Sequence, residues 1–226
     1  TTAYKKEGST SQSFDSVYGI KINDSSVNYI HQNIGRMSLG VKVGETYTDY
    51  GDGNLEETEQ LYDMALSGKG FFAISYADRN GNESVRYTRD GNFTVNSQGV
   101  LVTKDGDFVL AEDGGLINIP EGVKISVDES GRITADGQEI AQLQLVDFED
   151  YNYLEKFGEN MYIAIDGATT TDAQCKVYQG YLEASNVNVV TEMVDMITIT
   201  RDYESNQKVI QTIDSTLEKS VALGRI

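Results

Sequence analysis

The side chains that most often carry chemistry are few in this chain, and their spacing does not assemble a reaction centre. There is one thiol, Cys175, and one imidazole, His31. A thiol nucleophile needs a base within hydrogen-bond reach, yet the two stand far apart in sequence with no motif around either, and Cys175 reads as a small strand residue. The acids Asp147, Glu149 and Asp150 lie close together, but a glycosidase needs two carboxyls facing each other across a cleft. On a strand, residues 147 and 149 share one face and sit side by side. Asp105-Gly-Asp107 and the stretch from Asp49 to Asp52 look like pieces of calcium loops. Neither has the alternating oxygen ligands closed by a glutamate at the twelfth position. Gly68-x-Gly70 before Phe71-Phe72 lacks the third glycine, the lysine-serine pair and the following helix of a phosphate cradle. It reads instead as a tight entry into a strand, with Phe71 and Phe72 on opposite faces, one toward the core and one toward a neighbouring surface. No residue is therefore assigned to catalysis, a cofactor or a metal.

Without a reaction centre, the elements themselves become the subject. The chain has 226 residues, 39% hydrophobic, enough for one good-sized core or two small ones. Its formal charge of -18 repels phosphate backbones and anionic lipid, which argues against nucleic acid and membrane surfaces as partners. No run of some 18 apolar residues offers a membrane span, and the first residues lack a secretory pattern. With one cysteine, the fold does not depend on an internal disulfide.

From Gly180 to Ile226 the chain reads as one long helix. Asn188 suits the N-cap, Glu192 and Asp195 sit near the positive end of the dipole, and Gly224 suits the end. Met196, Ile199, Tyr203, Asn206, Ile210, Ile213, Leu217 and Ser220 alternate steps of three and four, the seam of a coiled coil. Upstream, Met193, Val194, Met196, Ile197 and Ile199 wrap more than half the circumference, so the first turns call for more than one neighbour. No second helical pattern of comparable length precedes it, so the expected partner lies outside this stretch of sequence. Residues 193, 196, 197, 199, 203, 210, 213 and 217 are the predicted packing positions, with Asn206 fixing register.

The run Gly-Tyr-Leu-Glu-Ala-Ser-Asn-Val-Asn-Val-Val from Gly180, continued by Arg201-Asp-Tyr203-Glu204-Ser-Asn206, resembles the C-terminal signature of the bacterial flagellar rod and hook proteins. Further matches are Tyr62-Asp-Met-Ala-Leu66-Ser-Gly68-Lys-Gly70-Phe71-Phe72, the element Tyr87-Thr88-Arg89 with Gly91-Asn92-Phe93, and the stretch from Leu145 through Tyr162. Thr1-Thr2-Ala3-Tyr4-Lys5-Lys6 resembles the end of the family's N-terminal motif, which implies a preceding helix as the missing partner. Val189 stands where the family commonly has proline, and Ala3 where it has glycine, suggesting a slightly different turn. The resemblance implies a non-enzymatic structural subunit of the basal body rod, nearest the distal rod. Its implied partners are copies of itself, other axial proteins of the rod and hook, and the flagellar export apparatus, and it would be exported without a cleaved signal peptide. The alternative is a secreted acidic β-domain adhesin or carbohydrate-binding module with a helical multimerisation stalk, for which clustered exposed aromatics would speak.

The expected fold is mainly β: an extended connector or arm with short strands over 1–66, an antiparallel β domain over 67–178, and a coiled-coil-type assembly helix over 179–226. Residues 1–22 read as an exposed or extended connector, with strand pieces at Val27-Asn-Tyr29-Ile30 and a half-buried strand at Leu39 to Val43. Within the β domain, Asp90-Gly91 predicts a two-residue hairpin between 86–89 and 92–95. Turns are expected at 96–99, 104–106, 112–115, 129–131 and 135–137. The intervening strands include 100–102, 108–110, 116–119, 123–127 and 140–148.

Overall fold

The computed structural model describes residues 2–15, 17–20, 33–37, 40–78, 81–120 and 122–223. The chain divides into two compact units, Thr1–Asn186 and Val187–Ile226. The first is built from antiparallel strands and the second contains one helix, α1 (Val189–Leu223). This is the mainly β architecture with an arm and a C-terminal helix that the sequence predicts.

The arm is a two-stranded ribbon. Strand β1 (Glu7–Ser13) pairs with β4 (Val41–Thr48), and β2 (Val17–Ile20) pairs with β3 (Asn33–Met37). The strand piece expected at 27–30, Leu39 and His31 lie outside the described residues. The predicted strand near 43 is present but not half-buried, since Val41 and Val43 are each 67% exposed. Alternation marks which residues share a face, but burial needs a second layer, and among the described residues neither β1 nor β4 pairs with a further strand.

Beyond β5 (Leu55–Glu57), the strands β6 (Met64–Lys69) and β7 (Phe71–Ala77) are separated by Gly70 alone. There the chain passes from pairing with one strand to pairing in the main sheet. A side chain at Gly70 would begin 2.8 Å from the Ala173 Cβ, at a φ of +151°, so glycine is required at this switch. The strands β8 (Glu83–Thr88), β9 (Phe93–Val95), β10 (Leu101–Thr103) and β11 (Phe108–Val109) follow. A small sheet then forms from β12 (Ile125–Val127), β13 (Arg132–Ala135) and β14 (Gln138–Gln142). The remaining strands are β15 (Leu145–Phe148), β16 (Leu154–Phe157), β17 (Met161–Ala164), β18 (Thr170–Asp172), β19 (Gln174–Gln179) and β20 (Tyr181–Glu183). The main sheet runs β16-β17-β8-β7-β11-β10-β9. One edge of β7 is shared, β15 pairing at Phe71 and Phe72 and β11 at Ile74 and Ser75; β18 pairs with β15. Strand β6 pairs with β19, and β5 with β20.

The Asp90-Gly91 hairpin does not form: β8 pairs with β7 and β17, while β9 pairs with β10. Gly91 instead passes beneath β6, where a Cβ would fall 1.5 Å from the Met64 carbonyl oxygen, and its own carbonyl accepts from the Met64 N–H. The Asp90 side chain, occupied by Asn92 N–H, Thr2 and Asn160, holds the crossing chain rather than closing a turn. The other predicted turns are present, with glycine in the left-handed region at 99, 106, 114, 131 and 137. The segment 116–119 makes only isolated bridges, although Ile117 and Ile119 are buried. The predicted strand 140–148 is broken between β14 and β15, where Gln144 N–H donates to the Leu110 carbonyl.

The pleat of β7 serves two cores. Phe72 and Ile74 enter the larger one with Leu66, Leu101, Ile117, Ile133, Leu143 and Val177, and the half-buried Cys175 packs at its margin. Phe71 enters a smaller one with Phe148, Leu154 and Tyr162, edged by Tyr50, Tyr87 and Tyr151. Phe71 therefore faces a second interior rather than the neighbouring surface expected of it, because the 148–165 segment folds over that side of the sheet.

Candidate functional site

The helix is set by its cap. Asn188 Oδ1 accepts from the N–H groups of Val190 (3.1 Å) and Thr191 (3.3 Å), satisfying two of the donors that a helix start leaves open. The hydroxyls of Thr198, Thr200, Thr212, Thr216 and Ser220 donate to carbonyls one turn back, so they are spent within the helix. No helix residue is buried. Met193, Met196, Ile197, Ile199, Tyr203, Ile210, Ile213 and Leu217 all remain more than half exposed, and Asn206 is exposed too. At about 100° per residue, Met196, Ile199, Tyr203, Asn206, Ile210, Ile213 and Leu217 share an arc roughly 100° wide. Met193 and Ile197 lie on an adjacent arc with Val190 and Val194, which ends where Arg201 follows. Among the described residues no helix is long and apolar enough to cross a membrane.

Of the stretch expected as an exposed or extended connector, β1 is extended and mostly exposed, but in the β unit's first residues Ala3 and Lys5 are buried. Residues 2–6 pack beside 183–186, starting from an isolated antiparallel bridge between Thr2 and Ala184. Ala3 N–H donates to the Glu183 carbonyl (2.7 Å), Ser185 Oγ to the Tyr4 carbonyl (2.9 Å), and Lys6 N–H to Asn186 Oδ1 (2.7 Å). The turn expected to differ at Ala3 takes the left-handed conformation that favours glycine, φ +53°, with the alanine buried.

This pairing carries Lys5 into the interior, where it is 1% exposed. Lys5 Nζ donates to Glu183 Oε1 and to the Gly51 carbonyl (2.8 Å). Arg89 Nε donates to Glu183 Oε2 (3.0 Å) and Nη2 to Asp52 Oδ1 (2.7 Å), while Nη1 reaches the carbonyls of Gly68 (2.6 Å) and Gly70 (2.9 Å). Gly53 N–H completes Glu183. Two cations and two carboxylates thus balance, and the burial of Glu183 is matched by hydrogen bonds to both oxygens. Burial holds the Lys5 ammonium below its usual value, and the facing Glu183 offsets part of that shift. Through Arg89, just after β8, and Glu183, the cluster ties the end of β8 to four other segments: the start of the chain, the 49–53 loop, the β6–β7 switch and β20, the last strand before the helix. Of the cluster's four side chains only Asp52 stood out in sequence, as part of an incomplete calcium-loop fragment, and its partner here is Arg89. Arg89 and Glu183 were visible as parts of motifs, and Lys5 as half of a lysine pair, without any sign that they meet.

The aromatics give a further discriminator. Phe71, Phe148 and Tyr162 are buried against one another, with ring centroids of Phe71 lying 6.0 Å from Phe148 and 5.4 Å from Tyr162. They form an interior, not an open platform for a sugar ring.

Residues 178–223 match the model of the flagellar basal body rod FlgEFG protein C-terminal region, and residues 65–135 match the flagellar hook protein FlgE/F/G D1 domain. The chain is 37% identical over 198 residues to the flagellar basal-body rod protein FlgG of Buchnera aphidicola subsp. Schizaphis graminum, covering 81% of this chain and 73% of that one. It is 33% identical over 232 residues to FlgG of Agrobacterium fabrum, covering 95% and 85%, and 38% identical over 176 residues to the rod protein FlgF of Caulobacter vibrioides, covering 76% and 68%. By these matches, which span both the β unit and the helix, the chain belongs to the flagellar basal-body rod protein family.

Proposed function

We propose that the protein is a subunit that assembles with copies of itself, and with neighbouring axial proteins of the rod and hook, into a tube that transmits torque. The family is structural and non-enzymatic, and its members' names place them in the basal body. The observation that carries the finer reading is the exposed stripe on α1: a helix of 35 residues with no buried side chain has its apolar face available for another chain. Met196, Ile199, Tyr203, Ile210, Ile213 and Leu217 form the main seam, Asn206 sets its register, and Met193 and Ile197 meet a second neighbour. A head-to-tail contact that does not close on itself generates a helical tube. Within the family the distal rod is the proposed place, spanning the periplasm, with passage through the flagellar export apparatus and no cleaved signal peptide. The adhesin alternative loses its support with the aromatic cluster buried.

The test is assembly of the full-length protein, followed by electron microscopy, with and without Ile210→Asp. A charge in the seam abolishes filaments while leaving the thermal transition of the β unit in place. Filaments unchanged in the variant would remove the helix from the assembly.

A further inference from the structure

The chain start is held down by different forces from those that close the two cores. Over residues 2–6, Ala3 alone buries an apolar side chain, and its φ of +53° is one that alanine adopts only at a cost. The other ties are polar. Thr2 Oγ1 donates to Asp90 (3.0 Å), the Tyr4 ring lies 4.0 Å beneath Lys156 Nζ, and the Lys6 carbonyl accepts from Asp49 N–H (2.8 Å). Lys5, the central tie, brings an ammonium out of water to reach Glu183 and the Gly51 carbonyl. That burial opposes closure, as the lowered proton affinity of Lys5 reflects.

What this segment touches is also satisfied without it. Glu183 Oε1 accepts from Gly53 N–H (2.8 Å), Oε2 from Arg89 Nε (3.0 Å), and Arg89 keeps Asp52 (2.7 Å). The Gly51 carbonyl retains Asn186 Nδ2 (3.2 Å), Asp90 retains Asn92 N–H and Asn160, and Lys156 retains Glu7. Strands β5 and β20 stay paired, continued by Ala184 N–H to the Asn54 carbonyl (2.8 Å). A segment held by hydrogen bonds, carrying a strained residue and a desolvated charge, and leaving satisfied partners behind, belongs to the low-stability end of a fold.

We propose that residues 2–6 are a releasable strap, which lifts from 183–186 and from Asp49 as one unit while both cores, the β5–β20 pair and the Arg89 ion pairs stay closed. Its hinge is Glu7, where β1 begins to pair with Thr48 of β4. Closed, the strap shelters the stretch that leads into α1 and balances two cations against two carboxylates. Open, it uncovers that stretch and leaves Arg89 alone between Glu183 and Asp52, so the place turns negative. The device is independent of the self-assembly reading: it concerns a single subunit.

The test is amide hydrogen exchange of the full-length protein, resolved residue by residue by nuclear magnetic resonance, for wild type, Lys5→Glu and Lys5→Gln. Ala3, Lys6 and Asp49 donate bonds that opening breaks; Gly53, Ala184, Ala73 and Leu110 donate bonds that it leaves intact. In wild type the first three are expected to share one protection factor, about tenfold or more below the other four. Equal protection at all seven overturns the strap. Lys5→Glu sets a third carboxylate against Glu183 and Asp52, so it is expected to remove most protection from the first three and leave the other four within about twofold. Loss spreading to Gly53 and Ala184, or to Ala73 and Leu110, overturns separate opening. Lys5→Gln, which removes the charge without repulsion, is expected to act in the same direction more weakly. Protection unchanged at Ala3, Lys6 and Asp49 in that variant overturns Lys5 as the tie.

Discussion

In the β unit, Phe72, Ile74, Leu101 and Ile133 are fully sheltered; in α1, side chains of the same kind, Met196, Ile199, Ile210 and Leu217, are more than half exposed. The two regions draw their order from different sources. The β unit closes two cores and a balanced ion cluster on itself, so its stability is internal. The helix has a good cap but little else of its own. It includes the β-branched run Ile197-Thr198-Ile199-Thr200, which costs helix propensity. Helices in proteins owe most of their stability to packing of an apolar face. In the assembly proposed above, the exposed stripe of α1 is the part of this chain completed by another, and the β unit the part that is firm by itself.

The sharpest way to break that contrast is to weaken the firm side. Glu183→Ala leaves Lys5 and Arg89 buried with their shared carboxylate gone, and removing one partner of a buried charge group typically costs about 3–5 kcal/mol. The expected result is a large fall in the β unit's thermal midpoint, read by near-ultraviolet circular dichroism. A midpoint unmoved by Glu183→Ala would mean that the cluster does not hold the four segments. Next in size is Gly91→Ala. Its new Cβ would begin 1.5 Å from the Met64 carbonyl, so the crossing beneath β6 must open, and a loss of more than about 2 kcal/mol is expected in denaturant titration. A neutral outcome would show that this crossing is loose and that the two cores are less rigidly joined than their contacts imply.

These two sites also mark where the sequence stopped being legible. From its Asn188 cap onward the helix was readable because its signals are local: a cap, a period, and the absence of breakers over 35 residues; Tyr181–Glu183, read as part of it, form β20 instead. The turns at 96–99, 104–106 and 135–137 were readable for the same reason. Asp90-Gly91 has the composition of a hairpin turn, but what decides its path is the Met64 backbone above it, a contact between β6 and the segment after β8 that turn chemistry does not encode. The ion cluster lay further out of reach. Its pairs, Arg89 with Glu183 and Lys5 with Glu183, are separated by 94 and 178 positions, and no periodicity relates them. The ribbon failed differently: alternation at Val41 and Val43 was read as burial, although alternation reports only which side a residue faces.

The smallest effect sharpens the comparison from inside the firm unit. Tyr162 is fully buried in the smaller core, and its hydroxyl has no hydrogen-bond partner among the described residues. A buried hydroxyl without a partner has lost water and gained nothing in exchange, so Tyr162→Phe should stabilise the β unit by about 1 kcal/mol. The ring and its contacts with Phe71 and Tyr50 remain. The same burial pushes the Tyr162 phenol well above its usual range, with the neighbouring Tyr50 adding to the shift. Below the ordinary phenol value near pH 10, folded and unfolded chains both keep this proton, and stability does not depend on it. Above that value the unfolded chain releases the proton first. The folded state then binds more protons, and stability falls as pH rises toward the folded value. Tyr50, Tyr87 and Tyr151 are shifted in the same direction, so the variant removes part of the alkaline slope and not all of it. Urea titrations at pH 8 and pH 10.5 should therefore show the advantage of Tyr162→Phe growing with pH. An advantage that shrinks would mean that the folded protein favours the phenolate over the phenol, and that the smaller core is less sealed than the larger one beside it.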